Sequence, residues 1–513
     1  MEEAVSRILT ELEEARCFDG STNLHSQPPP PLSDSALFDL QSLLDNSIGT
    51  DEQQPVDRLY EDLSAKSLSP SSLIRAIVSA MDEPSPRISI LASKVYLSLL
   101  LAPNAPVFTL FNPMDFLSFL RSMRRFLKQR PRTTPNQDDS NQESIAPKRK
   151  RKGGVKGKGL RNCAQRQSSN EGYHDGEFDA RVLYPVLERL GILMSLIHLD
   201  RFPDSLKSLV ETVIDIPVLA LEVCTNLSIY SKLTNLCSRI LSATLRPEHG
   251  DLVSIAAEVI KSLSPLILHH KDQARAFALE FVTIQIANAA KESDGVKSAL
   301  VNLPRYLVQK APEKSEPRAL AVDSIMEVVK VMEFKDQIGF VDYVVKMTRG
   351  KSNLRLLASD LISTLIMSLS DPVAVDSESE LKDSWRFGCL VALVQRCSDA
   401  GATIRARALS NLAHLVVFLS DNDKNKALLK EVLGSGDRHC KKNGSEIHAL
   451  LRKRCVDEKA AVRKAALFLV TKCTALLGGS MDGDMLKTVG IACSDPLVSI
   501  RKAAMSALSE VNH

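Results

Sequence analysis

At 513 residues the chain is too long for one compact core, so it must be several domains or an elongated repeat array. Apolar residues make up 44%, charged residues 25% and aromatics only 5%, with Trp385 the single tryptophan. That composition suits helix-on-helix packing by Leu, Ala, Val and Ile. The net charge of +3 is small for this length and removes any whole-molecule case for nucleic-acid binding, so such a case must be local.

Residues 1–18 are acidic and amphipathic, with Val5, Ile8, Leu9 and Leu12 on one helical face. This predicts an N-terminal helix and not a secretory signal. Residues 19–35, with the proline run Pro28 to Pro31, read as an extended, mobile linker. Residues 36–130 form a helical block, with helices over Leu59 to Leu63, Ser72 to Met81, Ile88 to Leu101 and Pro113 to Leu127.

Residues 131–177 are poor in apolar side chains and rich in Asn, Gln, Ser and Gly, the signature of a disordered insertion. Within it Lys148, Arg149, Lys150, Arg151 and Lys152 are followed by Lys156, Lys158 and Arg161, with no acidic residue between Glu143 and Glu171. The block has the make-up of a nuclear localisation signal and also suits sequence-independent phosphate contact; a solvated loop without a partner is the third reading. It has no interleaved aromatics to stack on bases.

From residue 178 to 370 the pattern is helical, with segments over Leu183 to Leu199, Leu206 to Ile216 and Leu233 to Leu245, but the register emerges only near residue 270. Residues 371–384 are an acidic loop, and 385–513 carry three copies of one motif. The copies open at Asp399, Asp457 and Asp495, each with arginine six places on at Arg405, Arg463 and Arg501. The stripes Ile404, Ala408, Leu412, Leu415; Val462, Ala466, Val470, Cys473; and Ile500, Ala504, Leu508, Val511 then follow at spacings of four, four and three. Those spacings place each stripe on one helical face.

Each aspartate is expected to cap its helix, with Pro496 at a first helical position. The core Arg-x-x-Ala recurs upstream at Arg355/Ala358, Arg318/Ala321 and Arg275/Ala278. Successive arginines lie between 37 and 58 residues apart, bracketing the period of roughly 40 to 47 of helical-hairpin repeats. The wider gaps hold polar stretches, Asp371 to Asp383 and Asp421 to Ser445, expected to be loops. The fold class is therefore all-α, a HEAT/armadillo-like α-solenoid with disordered insertions.

No catalytic constellation emerges. Gly350-Lys351-Ser352 imitates the end of a phosphate-binding loop, but Val345 stands where the first glycine is needed, which leaves Lys351 as a solvated residue at a helix start. His269-His270 and His439-Cys440 lack a second pair at metal-site spacing, and Gly478-Gly479-Ser480 is not a nucleophile elbow. Paired carboxylates such as Glu13-Glu14 lie on an exposed helix. Ten scattered cysteines without a Cys-x-x-Cys pair read as reduced, buried thiols of an intracellular protein. No apolar run approaches the roughly 20 residues of a membrane span, and no metal or cofactor is implied.

Phe111-Asn112-Pro113-Met114-Asp115-Phe116, Ile404 to Leu412, Val462 to Leu467 and Asp495 to Ala504 resemble the D-type HEAT-repeat subunit of condensin II. The last three are partly generic HEAT signatures, shared with the condensin I counterpart and cohesin-associated proteins. The resemblance implies a non-catalytic nuclear and chromosomal scaffold for mitotic chromosome assembly. Its partners would be a kleisin subunit, the SMC ATPase heterodimer and DNA, bound without sequence preference. It also implies structural roles for Asp399, Arg405, Asp457, Arg463, Asp495 and Arg501. The competing reading is a HEAT adaptor of another class, a nuclear transport receptor or a phosphatase scaffold. Because family members are much longer and the stripe from Ile500 to Val511 lacks a successor, the chain is expected to be a fragment, a short isoform or a truncated gene model corresponding to the N-terminal part of such an array.

Overall fold

The computed structural model describes residues 2–19, 30–46, 55–102, 110–128, 180–223, 226–370, 384–434, 446–476 and 483–510, and every regular element among them is helical. Two compact units result: Met1–Leu190 with Leu219–Leu233, and Gly191–Val218 with Thr234–His513.

The first unit holds α1 (Glu2–Asp19), α2 (Asp34–Asn46), α3 (Pro55–Ala65), α4 (Pro70–Met81), α5 (Pro86–Leu100) and α6 (Pro113–Lys128). Four of these begin at proline, which at a first helical position gives up only an N–H that has no intrahelical acceptor. At α4 the Ser69 side chain accepts from Ser72 N, and at α6 Asn112 Oδ1 accepts from Met114 N at 3.0 Å. Phe116 and Phe119 stack at 5.8 Å between centroids, with Tyr96 of α5 against Phe119 at 6.1 Å. The Phe-Asn-Pro segment thus starts α6 and helps fill the core.

The end of the expected linker is not free. Leu32 is buried, Ser33 donates from its backbone N and its Oγ to the Glu11 carboxylate, and α2 already starts at Asp34. The rest of that segment, residues 20–29, lies outside the described residues, as do the basic block and most of the acidic loop.

α7 (Leu183–Leu193), α8 (Pro203–Val223) and α9 (Leu227–Thr244) follow. The second unit continues with α10 (Leu252–Ile267), α11 (Asp272–Glu280), a π-helical segment (Phe281–Ile286), α12 (Ala287–Glu292), α13 (Asp294–Lys310) and α14 (Ser315–Lys330). After these come α15 (Phe334–Met347), α16 (Ser352–Ser368), α17 (Trp385–Arg396), α18 (Ala402–Leu419), α19 (Asp423–Gly434), α20 (Glu446–Cys455), α21 (Ala460–Leu476), α22 (Gly483–Ala492) and α23 (Val498–Ser509).

Hairpins α10/α11, α13/α14, α15/α16, α17/α18, α20/α21 and α22/α23 stack so that second helices touch second helices and first helices touch first, except that α19 packs between α17 and α20. The second helices form the row α11, α14, α16, α18, α21, α23. The alanines three places after the six repeat arginines are at most 1% exposed, so each sits where a neighbouring helix closes in. The rest of each stripe is buried too, except that Leu508 is half-buried and Val511 lies outside the described residues.

The stretch from Asp421 to Ser445 is not a loop throughout. Its polar composition hides α19, which buries Leu428, Leu429 and Leu433. The helical segment expected over Leu183 to Leu199 ends at Leu193, and that over Leu206 to Ile216 is longer at both ends.

Candidate functional site

The six repeat arginines, Arg275, Arg318, Arg355, Arg405, Arg463 and Arg501, are each the fourth residue of a second-row helix. A helical side chain leans toward its own N-terminus, so each guanidinium falls back over the turn that enters the helix. There Nη1 donates to a carbonyl five or six residues earlier: His269, Glu313, Gly350, Asp399, Asp457 and Asp495 respectively.

The rest of the fork reaches the next hairpin. Arg355 Nε and Nη2 donate to Asp399 at 2.8 and 3.0 Å, Arg405 to Asp457 at 3.0 and 2.9 Å, and Arg463 to Asp495 at 2.8 and 3.3 Å. The planar guanidinium matches both carboxylate oxygens, which fixes the spacing between hairpins.

The aspartates are not N-caps. Gly401 caps α18 and Leu497 caps α23, so Pro496 stands before the helix instead of at its first position. Asp399, Asp457 and Asp495 accept from the N–H two residues on, at Gly401, Lys459 and Leu497. In each case the oxygen held by that local turn also accepts from Nη2 of the preceding repeat's arginine, and the other oxygen accepts from its Nε.

Burial raises the carboxyl pKa of Asp399, but Arg355, the Gly401 N–H and Arg396 outweigh it and hold the group below its ordinary range. At Asp457 burial is likewise outweighed, by Arg405, the Lys459 N–H and Arg454. The Leu497 N–H and then Arg463 lower Asp495.

The hairpin entered before Arg355 has Arg349 six places earlier where the later copies have aspartate. Arg318 turns instead to Asp360, in the middle of α16, with Nε at 2.9 Å. Asp360 also takes Arg407 and Asn411 of α18, so one buried carboxylate joins α14, α16 and α18. No motif marks Asp360; the missing aspartate at position 349 is its only trace in the sequence. Arg396 and Arg454 were legible in another way, because Arg-Cys-x-Asp occurs at 396–399 and 454–457 and Cys493-x-Asp495 repeats its end. Burial pushes the Cys397 and Cys455 thiols up to about 12, so they serve as packing atoms and not as thiolates.

Along the helix starts runs a groove of about 860 Å³, floored by Arg318 and Arg355 and edged by Gln309, Glu313, Lys351 and Thr403. Lys351 is exposed at the start of α16, and the Gly350 carbonyl beside it is occupied by Arg355, so these residues do not form a phosphate loop. On the same row, the sequences of α16, α18, α21 and α23 contain a single acidic residue, the buried Asp360. Lys464 and Lys502 are exposed there, and Lys472 lies 5.7 Å over the Phe468 ring.

Among the described residues no group of three or more His, Cys, Asp or Glu could hold a metal ion, and no helix is long and apolar enough to cross a membrane. His439 and Cys440 lie outside the described residues, as do Lys148, Arg149, Lys150, Arg151, Lys152, Lys156, Lys158 and Arg161.

Stacked helical hairpins locked by an arginine–aspartate ladder define a HEAT-type α-solenoid. No family model matches the chain. It is 51% identical over 483 residues to the condensin-2 complex subunit CAP-D3 of Arabidopsis thaliana, covering 92% of this chain and 35% of that protein. It is 26% identical over 327 residues to the condensin-2 complex subunit D3-L of Xenopus laevis, covering 54% and 21%. Among solved structures, one of the Pds5-Scc1 complex aligns over 96% of this chain and 63% of its own, with 12% identity and a TM-score of 0.41. Over 92% of its own length the chain is thus similar to a D3 subunit of condensin-2. It spans about a third or less of the length of these relatives.

Proposed function

We propose that the chain is a non-catalytic scaffold of a condensin-2 complex, which holds a kleisin segment and DNA in support of mitotic chromosome assembly. The observation that carries this reading is the 51% identity held over 92% of the chain. The fold suits it: a ladder of buried ion pairs fixes the hairpins, and a long open groove follows their helix starts. ATP hydrolysis belongs, on this reading, to an SMC heterodimer bound through the kleisin. Residues 131–177 act as a basic tether and nuclear import signal, and Lys148, Arg149, Lys150, Arg151, Lys152, Lys156, Lys158 and Arg161 meet DNA phosphates. Asp399, Arg405, Asp457, Arg463, Asp495 and Arg501 are structural and touch no partner.

The test is co-elution of the folded chain with the condensin-2 kleisin in size-exclusion chromatography. A stoichiometric complex is expected, and separate elution of both proteins would overturn the reading.

A further inference from the structure

The π-helical segment Phe281–Ile286 interrupts what would otherwise be a continuous helix from α11 into α12. Such segments are rare and recur at functional sites, because the extra residue in the turn re-aims the side chains that follow. Here Gln285 faces α9 across a concavity of about 340 Å³, which Ser238, Arg239, Ser242, Ala243 and Arg246 complete.

Arg239 and Ser242 stand three apart on α9, and Arg246 follows four places later, just past the helix end. The spacing of three keeps Arg239 and Ser242 on one helical face, and Arg246, in extended backbone past the helix, lines the same concavity. Both arginines and Ser242 line this one concavity, so both guanidinium groups can reach one ligand seated over Ser242. Both are exposed, and neither has a carboxylate partner among the described residues. The Gln285 amide is likewise unpartnered. No acidic residue occurs between Glu222 and Glu248, so nothing on α9 neutralises the arginines.

We propose that this concavity binds the phosphate of a phosphorylated serine or threonine side chain of a partner polypeptide. A phosphate monoester concentrates nearly two charges and three acceptor oxygens on one group. Two convergent guanidinium groups, two hydroxyls and an amide supply donors for all three oxygens. A duplex spreads single charges along a ridge and calls for a row of cations; here there are two, with the Glu248 carboxylate exposed beside them.

The test uses the whole chain on a solid support and two degenerate peptide libraries that differ only in a central phosphoserine or serine. The phosphorylated library is expected to be retained at least tenfold more than its counterpart. Inorganic phosphate should displace it, and a 20-base-pair duplex should not. Arg239→Ala and Arg246→Ala, both at exposed positions, should each abolish the difference, whereas Lys502→Ala should leave it intact. Equal retention of the two libraries, retention that survives both arginine substitutions, or displacement by the duplex as readily as by phosphate would each overturn the proposal.

Discussion

At Asp457 one carboxylate answers four donors: two from Arg405, one from Arg454 and the Lys459 N–H. Its side chain is 4% exposed, so truncation would strand two guanidinium groups in a largely dry turn. Asp457→Ala is therefore expected to cost about 3 kcal/mol, read from urea unfolding at pH 7. Arg405→Lys should recover only part of the effect of Arg405→Ala, since an ammonium cannot fork both oxygens. The pH dependence has a fixed sign. The carboxyls of Asp399, Asp457 and Asp495 are held low in the folded chain, so their contribution is complete above the unfolded carboxyl pKa of about 3.9. It is lost as pH falls through the folded values. The stability gap between wild type and Asp457→Asn should accordingly be constant from pH 7 to about 5 and narrow toward pH 3. A gap unchanged at pH 3 would mean the ladder aspartates keep their charge effect without titrating.

The second-row helices depend on the small residue at their seventh position. Ala408 in α18 is fully buried against neighbours on both sides, α16 and α21. Ala408→Leu must therefore push two helices apart and is expected to destabilise by about 1 to 3 kcal/mol, whereas a larger side chain at the exposed Ser506 of α23 should change little. Thermal unfolding of the two variants checks the contrast. This periodicity was legible because Arg-x-x-Ala answers to two local demands, a clamp on the entering turn and close approach of a neighbour. What was not legible depends on contacts distant in sequence. Asp360 is an ordinary mid-helix aspartate until α14 and α18 pack against it, and the role of Asp399 as an inter-hairpin acceptor follows only from where Arg355 lies. The helix α19 was hidden because its three buried leucines sit among Lys and Asn, a composition that signals a loop when read without the partner helices α17 and α18.

For the whole molecule, a net charge of +3 over 513 residues gives little long-range attraction to a polyanion, so affinity for DNA must come from local concentrations of charge. Two candidates are Lys148 to Lys152 with their followers, and the lysines of α21 and α23 on a row almost free of acids. Counterion release separates them. Each phosphate contact on a duplex contributes about 0.9 to the slope of log affinity against log salt. If the basic block supplies the contacts, replacing Lys148, Arg149, Lys150, Arg151 and Lys152 with alanine should flatten that slope by about 4, while Lys464→Ala with Lys502→Ala should flatten it by under 2. Fluorescence anisotropy with a labelled duplex between about 50 and 200 mM salt measures both. The reverse order would move DNA from the tether to the helical row, and slopes unchanged in both variants would remove DNA contact from the proposed function. The same five-residue replacement in a fluorescent fusion tests import independently, because nuclear accumulation is expected to fall whether or not the duplex slope changes.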